Sequence, residues 1–225
     1  MRIPYDAPAP LGREFIELAP EIVAAILLTL IAGWQQACEF DDLNAQAGEV
    51  LMTERLRDGM RGVLKAKGCR WRRMLIVLPG TESRSRSEVT IPDGRTDIPL
   101  MLIEVFLRPE EHDPHAIIEC KRIEGSDTHL CREYVVEGID RFSAGKYGEN
   151  HAMGFMVGYV LSGTMMESAN GVNAYLARVS RKVDHLELAD DLGNAPSWTS
   201  QHARPKLSSP IRLHHAFLSF AEAAA

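Results

Sequence analysis

Three residues in the stretch from Gly94 to Arg122 have the types and spacing for chemistry: Asp97, Glu119 and Lys121. Asp97 opens the apolar run Ile98 to Phe106, and Glu119 and Lys121 close the shorter run Ala116 to Ile118. Short runs rich in Ile, Leu and Val, bounded by Gly, Pro or charge, read as interior strands. Alternation along a strand puts Glu119 and Lys121 on one face of the sheet and Cys120 on the other. Two carboxylates and an amine at the edge of an apolar sheet are costly to desolvate without a counter-charge. Carboxylate oxygens are the hard ligands that Mg²⁺ prefers, so the expectation is a site for Mg²⁺, with Mn²⁺ as a substitute. An ammonium beside such a metal suits phosphodiester hydrolysis.

The elements that must position these residues can be read along the chain. Residues 1–12, with Pro4, Pro8 and Pro10, read as an arm. Glu14 to Glu39 reads as a helix, apolar nearly all round, which implies burial on more than one side. A second helix is expected from an N-cap at Asp41 or Asp42 to about Lys67. Strands are expected over Met74 to Leu78, at the run opened by Asp97, at the run closed by Glu119, over 152–161 and over Ile211 to Phe220. Helices are expected over His129 to Ala144 and Met166 to Glu187, and residues 189–210 read as loop. His214 and His215 are adjacent, so on a strand they face opposite ways and cannot share a metal.

On the second helix, Glu49, Thr53, Leu56, Met60 and Val63 form one stripe, while Glu54, Asp58, Arg61 and Lys65 form a charged one. Glu49 therefore shares the core-facing stripe, where it wants a partner or reaches water at the edge. Glu54 belongs to the solvated face. Basic residues gather between Arg55 and Arg73, with Arg70, Arg72 and Arg73 beside Trp71. This patch suits a phosphate backbone or is a solvated helix face running into a loop. Arg84 and Arg86, in the polar loop 81–88 beside the sheet, are DNA contacts or part of a mobile connection, and Arg141 and Lys146 are phosphate contacts or helix-end cations.

The pair GRTDI and IIECK resembles the PD-(D/E)xK nuclease superfamily, the restriction-endonuclease-like fold, with Thr96 where the motif has Pro. The resemblance spans roughly residues 41–161. It implies an α/β fold with an αβββαβ core and a mixed central sheet flanked by helices, here with an N-terminal helix (13–40) and a C-terminal extension (162–225) in one domain. It also implies that Asp97, Glu119 and the backbone carbonyl of Cys120 hold Mg²⁺, that Lys121 orients or deprotonates the attacking water, and that Glu49 supports a second metal or Lys121. The product implied is a 5′-phosphate. The function expected is a DNA endonuclease of bacterial restriction or anti-phage defence. Two alternatives stay open: a nuclease of the same fold acting on RNA or repair intermediates, and an inactive nucleic-acid-binding or scaffold protein.

The 225 residues are 45% apolar, enough for one well-cored domain. A net charge of -6 excludes a general polyanion binder, so any nucleic-acid contact must come from a local patch. Four cysteines without CxxC spacing suit a reduced, cytoplasmic protein. No leader is expected at the N-terminus, and Ile22 to Trp34 is short for a membrane span. Its apolar circumference does predict a homodimer, with this run buried against a second copy.

Overall fold

The computed structural model describes residues 16–80, 82–83, 94–103, 114–189, 196–207 and 209–220. Helix α1 (Pro20–Ala37) starts with Pro at its first turn, where a missing N–H costs nothing. Helix α2 (Glu49–Lys65) starts later than an Asp41 or Asp42 cap would place it. The Asp42 carboxylate is engaged by Arg55, and the Asn44 side chain accepts the Gln46 N–H in a local turn. That turn competes with the helix, which cannot start until Gly48 has turned the chain.

The strands are β1 (Leu75–Val77), β2 (Glu82–Ser83), β3 (Gly94–Arg95), β4 (Ile98–Leu102), β5 (Ala116–Ile123), β6 (Met153–Val160), β7 (Glu187–Leu188), β8 (Ser197–His202) and β9 (Ile211–Ser219). Seven form one mixed sheet in the order β1-β4-β5-β6-β9-β8-β7, and β2 and β3 make a separate ribbon. β5, β6 and β9 run parallel, and the remaining pairings in the large sheet are antiparallel. Between β5 and β6 lies α3, which runs from Thr128–Tyr134 through a π-helical turn, Val135–Ile139, into Asp140–Ser143. Helix α4 (Met165–Arg178) follows β6 behind a Thr164–Glu167 capping box. It stops well short of Glu187: Ser180 is left-handed (φ 62°), and the Asn173 side chain brackets the backbone of Leu186.

Helices cover both faces of the sheet. On one, α1 and α2 pack Ile26, Leu30, Leu56 and Met60 against Leu100, Ile118, Val157 and Leu218. On the other, α3 and α4 pack Tyr134, Ile139, Val172 and Leu176 against Ile117, Met156 and Phe217. The chain is thus an α/β protein with a mixed open sheet. The region read as loop over 189–210 contains β8, a strand inside that sheet, and β9 lies between β6 and β8. What was expected as a C-terminal extension therefore completes the sheet itself.

By length and composition α1 could cross a membrane, but it is packed as a core helix. Leu27 is 4% and Leu30 0% exposed within one chain. Leu27 and Leu30 therefore lie against α2 and the sheet rather than on the outer side of α1, where Ile22, Leu28 and Ile31 are half-buried. Leu30→Glu should therefore unfold the protein, at a cost of several kcal/mol for an unpaired buried charge. Circular dichroism and light scattering on the variant check this; a folded monomer in place of a wild-type dimer would refute it.

Alanine-like approach at one point sets the spacing of α1 and α2. A methyl group on Gly59 would lie 2.0 Å from the Gly33 carbonyl oxygen, and one on Gly33 would lie 2.8 Å from the Met60 nitrogen. The two backbones touch there, which only glycine permits.

Candidate active site

The site forms where β5 outruns its neighbour. β4 pairs with β5 only from Leu100↔Ala116 to Ile98↔Ile118, so beyond Ile118 that edge of β5 has no strand beside it among the described residues. Buried backbone N–H groups must find acceptors. Two carboxylates supply them. Asp97 Oδ2, just before β4, accepts the Cys120 N–H at 2.8 Å. Glu49 Oε2, in the first turn of α2, accepts the Arg122 N–H at 3.1 Å.

Lys121 fills the space between. Its ammonium donates to Glu49 Oε1 at 3.0 Å and to the Cys120 carbonyl at 2.9 Å, and it lies 3.0 Å from Glu119 Oε1. Those contacts match its three donors. Arg141 approaches Glu119 Oε1 from α3 at 3.7 Å, while also donating to Tyr147 Oη at 2.5 Å and to Glu137 at 3.3 Å. Tyr147 Oη in turn donates to the Arg95 carbonyl at 3.0 Å. The face assignment from alternation holds: Ile117 and Ile123, in step with Glu119 and Lys121, pack on the α3 side, and Cys120 packs on the α1 and α2 side.

Glu119 is 1% exposed, and its Oε2 is buried without a hydrogen-bond partner. Burial, then repulsion from Asp97, pushes its pKa up to about 8, against the pull of Lys121. Burial also raises Asp97, opposed by Lys121 and by the Cys120 N–H. For Lys121, burial disfavours the ammonium, but Glu119, Glu49 and Asp97 outweigh it and the pKa rises. The amine is therefore charged throughout the neutral range.

These features fit a divalent cation. An orphaned carboxylate oxygen, a second carboxylate and a carbonyl with a spare lone pair form a hard, all-oxygen donor set. No group of three or more His, Cys, Asp or Glu side chains suited to a metal occurs among the described residues. The set here has two such side chains, completed by backbone.

The remaining expected residues divide. Arg141 belongs to the site. Lys146 is exposed in the turn after α3. Arg70, Arg72 and Arg73 are exposed on a short 3-10 turn before β1, with Arg70 3.9 Å above the Trp71 ring, and none pairs with Asp97, Glu119 or Glu49 among the described ion pairs. Arg84 and Arg86 lie outside the described residues. His214 stacks on Phe155 on one face of β9 while His215 bonds Tyr134 on the other, so neither joins a shared ligand set.

Arg57, one of the basic residues between Arg55 and Arg73, is buried, which the sequence reading did not foresee. It is 7% exposed, its Nε has no hydrogen-bond partner, and it is paired through a guanidinium nitrogen with Glu54. Its signal was its place: Thr53, Leu56, Arg57 and Met60 follow the inward helical spacing. Glu54 accordingly does more than face water, because it balances a buried cation.

The two glutamates of α2 should then separate by phenotype. Glu49→Gln keeps an acceptor for Arg122 but weakens the hold on Lys121, and activity should fall about tenfold to a hundredfold, as for supporting contacts at metal sites. Glu54→Gln should leave activity within about twofold and lower stability by ~1 kcal/mol or more through Arg57. Initial rates and melting curves distinguish them; equal loss of activity in both would refute the assignment.

No family model, curated protein or solved structure matches this chain.

Proposed function

We propose that the chain is a Mg²⁺-dependent endonuclease that hydrolyses DNA phosphodiester bonds, of the PD-(D/E)xK, restriction-endonuclease-like type, in a restriction or defence role. The observation that carries this reading is the convergence of Asp97, Glu119, Lys121 and Glu49 at the edge of β5 beyond Ile118. The order α2, β1, β4, β5, α3, β6 within the large sheet supports it, being helix, three strands, helix, strand.

Asp97, Glu119 and the Cys120 carbonyl would hold the cation. Bound there, Mg²⁺ supplies a more acidic water and offsets charge that builds on the phosphate. Lys121 remains an ammonium, which favours orienting the water and stabilising negative charge over removing a proton. Glu49 fixes Lys121 from the α2 side and ties α2 to β5 through Arg122. Arg141 adds a second positive charge at Glu119.

Supercoiled plasmid incubated with the protein and Mg²⁺ should be nicked or linearised, and EDTA should prevent this. Cleavage of RNA alone would redirect the reading to an RNA nuclease. Absence of cleavage on DNA and RNA with Mg²⁺ or Mn²⁺ would leave the scaffold reading.

A further inference from the structure

Behind the site, on the α3 and α4 side of the sheet, runs a chain of polar contacts that the proposed chemistry does not use. Tyr134 Oη lies 2.9 Å from His215 Nδ1, His215 Nε2 lies 2.7 Å from Ser200 Oγ, and Ser200 Oγ lies 2.6 Å from His202 Nε2. His202 Nδ1, buried without a hydrogen-bond partner, faces Asp184 Oδ2 across 3.6 Å, an electrostatic contact and not a hydrogen bond. Asp184 also accepts Arg181 Nε at 2.6 Å, and Arg181 Nη1 donates to Asp140 Oδ1 at 2.7 Å. Tyr134, Ser200, His202 and His215 are all buried.

Proton counting gives this chain a direction. Asp184 favours the proton on His202 Nδ1, so His202 Nε2 is an acceptor and takes the Ser200 hydroxyl proton. Ser200 Oγ then accepts from His215 Nε2, which leaves His215 Nδ1 to accept from Tyr134. One arrangement satisfies the three hydrogen bonds from Tyr134 to His202, with both imidazoles neutral, as their burial requires. Ser200, His202 and Asp184 follow the order of an acyl-transfer triad. The Ser200 hydroxyl, however, is enclosed between two imidazoles and shielded from solvent, so it faces no substrate.

What the chain joins is α3 to itself. Tyr134 immediately precedes the π-helical turn Val135–Ile139, and Asp140 immediately follows it. The next residue, Arg141, is the one that reaches Glu119. Within the turn, Gly138 packs so close to the sheet that a methyl group there would lie 2.4 Å from Met156 Cε and 3.6 Å from Lys121 Cγ. A π-turn is a rare interruption of an α-helix, frequently found at functional sites.

We propose that the relay from Tyr134 to Asp140 clamps both ends of this π-turn and so positions Arg141 against Glu119. Tyr134, Ser200, Asp184 and Asp140 are then positioning residues. Only their effect on cleavage rests on the nuclease reading.

The test uses Ser200→Ala, its hydroxyl-retaining counterpart Ser200→Thr, and Asp140→Asn at the more exposed end of the relay. In metal-free protein, amide hydrogen exchange over 135–143 and exchange of the Arg141 side-chain Nε–H are followed by NMR. Ser200→Ala and Asp140→Asn should each speed both by about tenfold or more, with β6 amides within about twofold of wild type. Ser200→Thr should stay near wild type. Unchanged exchange in Asp140→Asn overturns the proposal even if Ser200→Ala does not fold. Faster amide exchange with an unchanged Arg141 Nε–H overturns the link to the site. Plasmid cleavage by Ser200→Ala and Asp140→Asn should fall about tenfold to a hundredfold, and that by Ser200→Thr should not. A wild type that cuts nothing would refute the nuclease reading, while the metal-free measurements still decide the relay.

Discussion

Replacing Glu119 with Gln should abolish metal-dependent cleavage and, in metal-free protein, raise the melting temperature above pH 8. The first effect should exceed about a hundredfold, the upper end of what losing a supporting contact at a metal site costs. The second follows from the sign of the shift. Glu119 has its pKa raised from 4.5 to about 8, so the folded chain binds a proton across that interval that the unfolded chain releases. The contribution is fully present below the unfolded value and is lost as pH rises through about 8. At ~1.4 kcal/mol per unit, the buried charge costs several kcal/mol at pH 9. Gln removes that charge while Glu49 still holds Lys121, so a gain of ~2 kcal/mol, or about 4–8 °C, is expected at pH 9 and little gain at pH 4. Cation affinity in the wild type should rise with pH up to about 8 and level off, with a proton released on binding. Asp97→Ala should be inactive too, but less stable, since it strips the acceptor from the Cys120 N–H. Calorimetric melts from pH 4 to 9 would sink this account if Glu119→Gln were destabilised at high pH.

Gly59→Ala should be among the most damaging single substitutions away from the site. Alanine gains ~1 kcal/mol in helix propensity over glycine. Against this, the added methyl would lie 2.0 Å from the Gly33 carbonyl oxygen and 3.2 Å from the Ala37 nitrogen, all backbone that cannot rotate away. Overpacking of this kind costs ~3 kcal/mol or more, so the net loss should be at least ~2 kcal/mol and the melting temperature should fall about 4–8 °C. Because α2 also carries Glu49, pushing it outward should loosen Lys121 and reduce activity in the molecules that remain folded. An unchanged melting temperature would mean that α1 and α2 do not touch at this point.

The trio Asp97, Glu119 and Lys121 was legible because strand alternation is rigid and local: two residues apart on one strand means one face. Glu49 was legible from its helical stripe, although the start of α2 was not, because the Asn44 turn competes with an Asp42 cap over only a few residues. β8 was hidden for a different reason. Ser197, Ser200 and His202 look like loop residues, yet they are buried where β8 pairs with β9, with Ser200 bonded to His202 and His215. Polar residues that satisfy one another over long separations leave no periodic trace. Arg57 and the π-turn share that cause, each being set by partners elsewhere in the fold.

The Trp34 indole donates to the Ser219 carbonyl at 3.0 Å, across 185 positions of the chain, and β9 lies inside the sheet and not at its rim. At 5–20 residues per second, a ribosome delivers Ser219 on the order of ten to forty seconds after Trp34. During that interval the oily side of α1 has no β9 to rest on and the sheet lacks an interior strand. The nascent chain is therefore a natural client for holdase chaperones, and expression yield should depend on them more than the stability of the finished protein suggests.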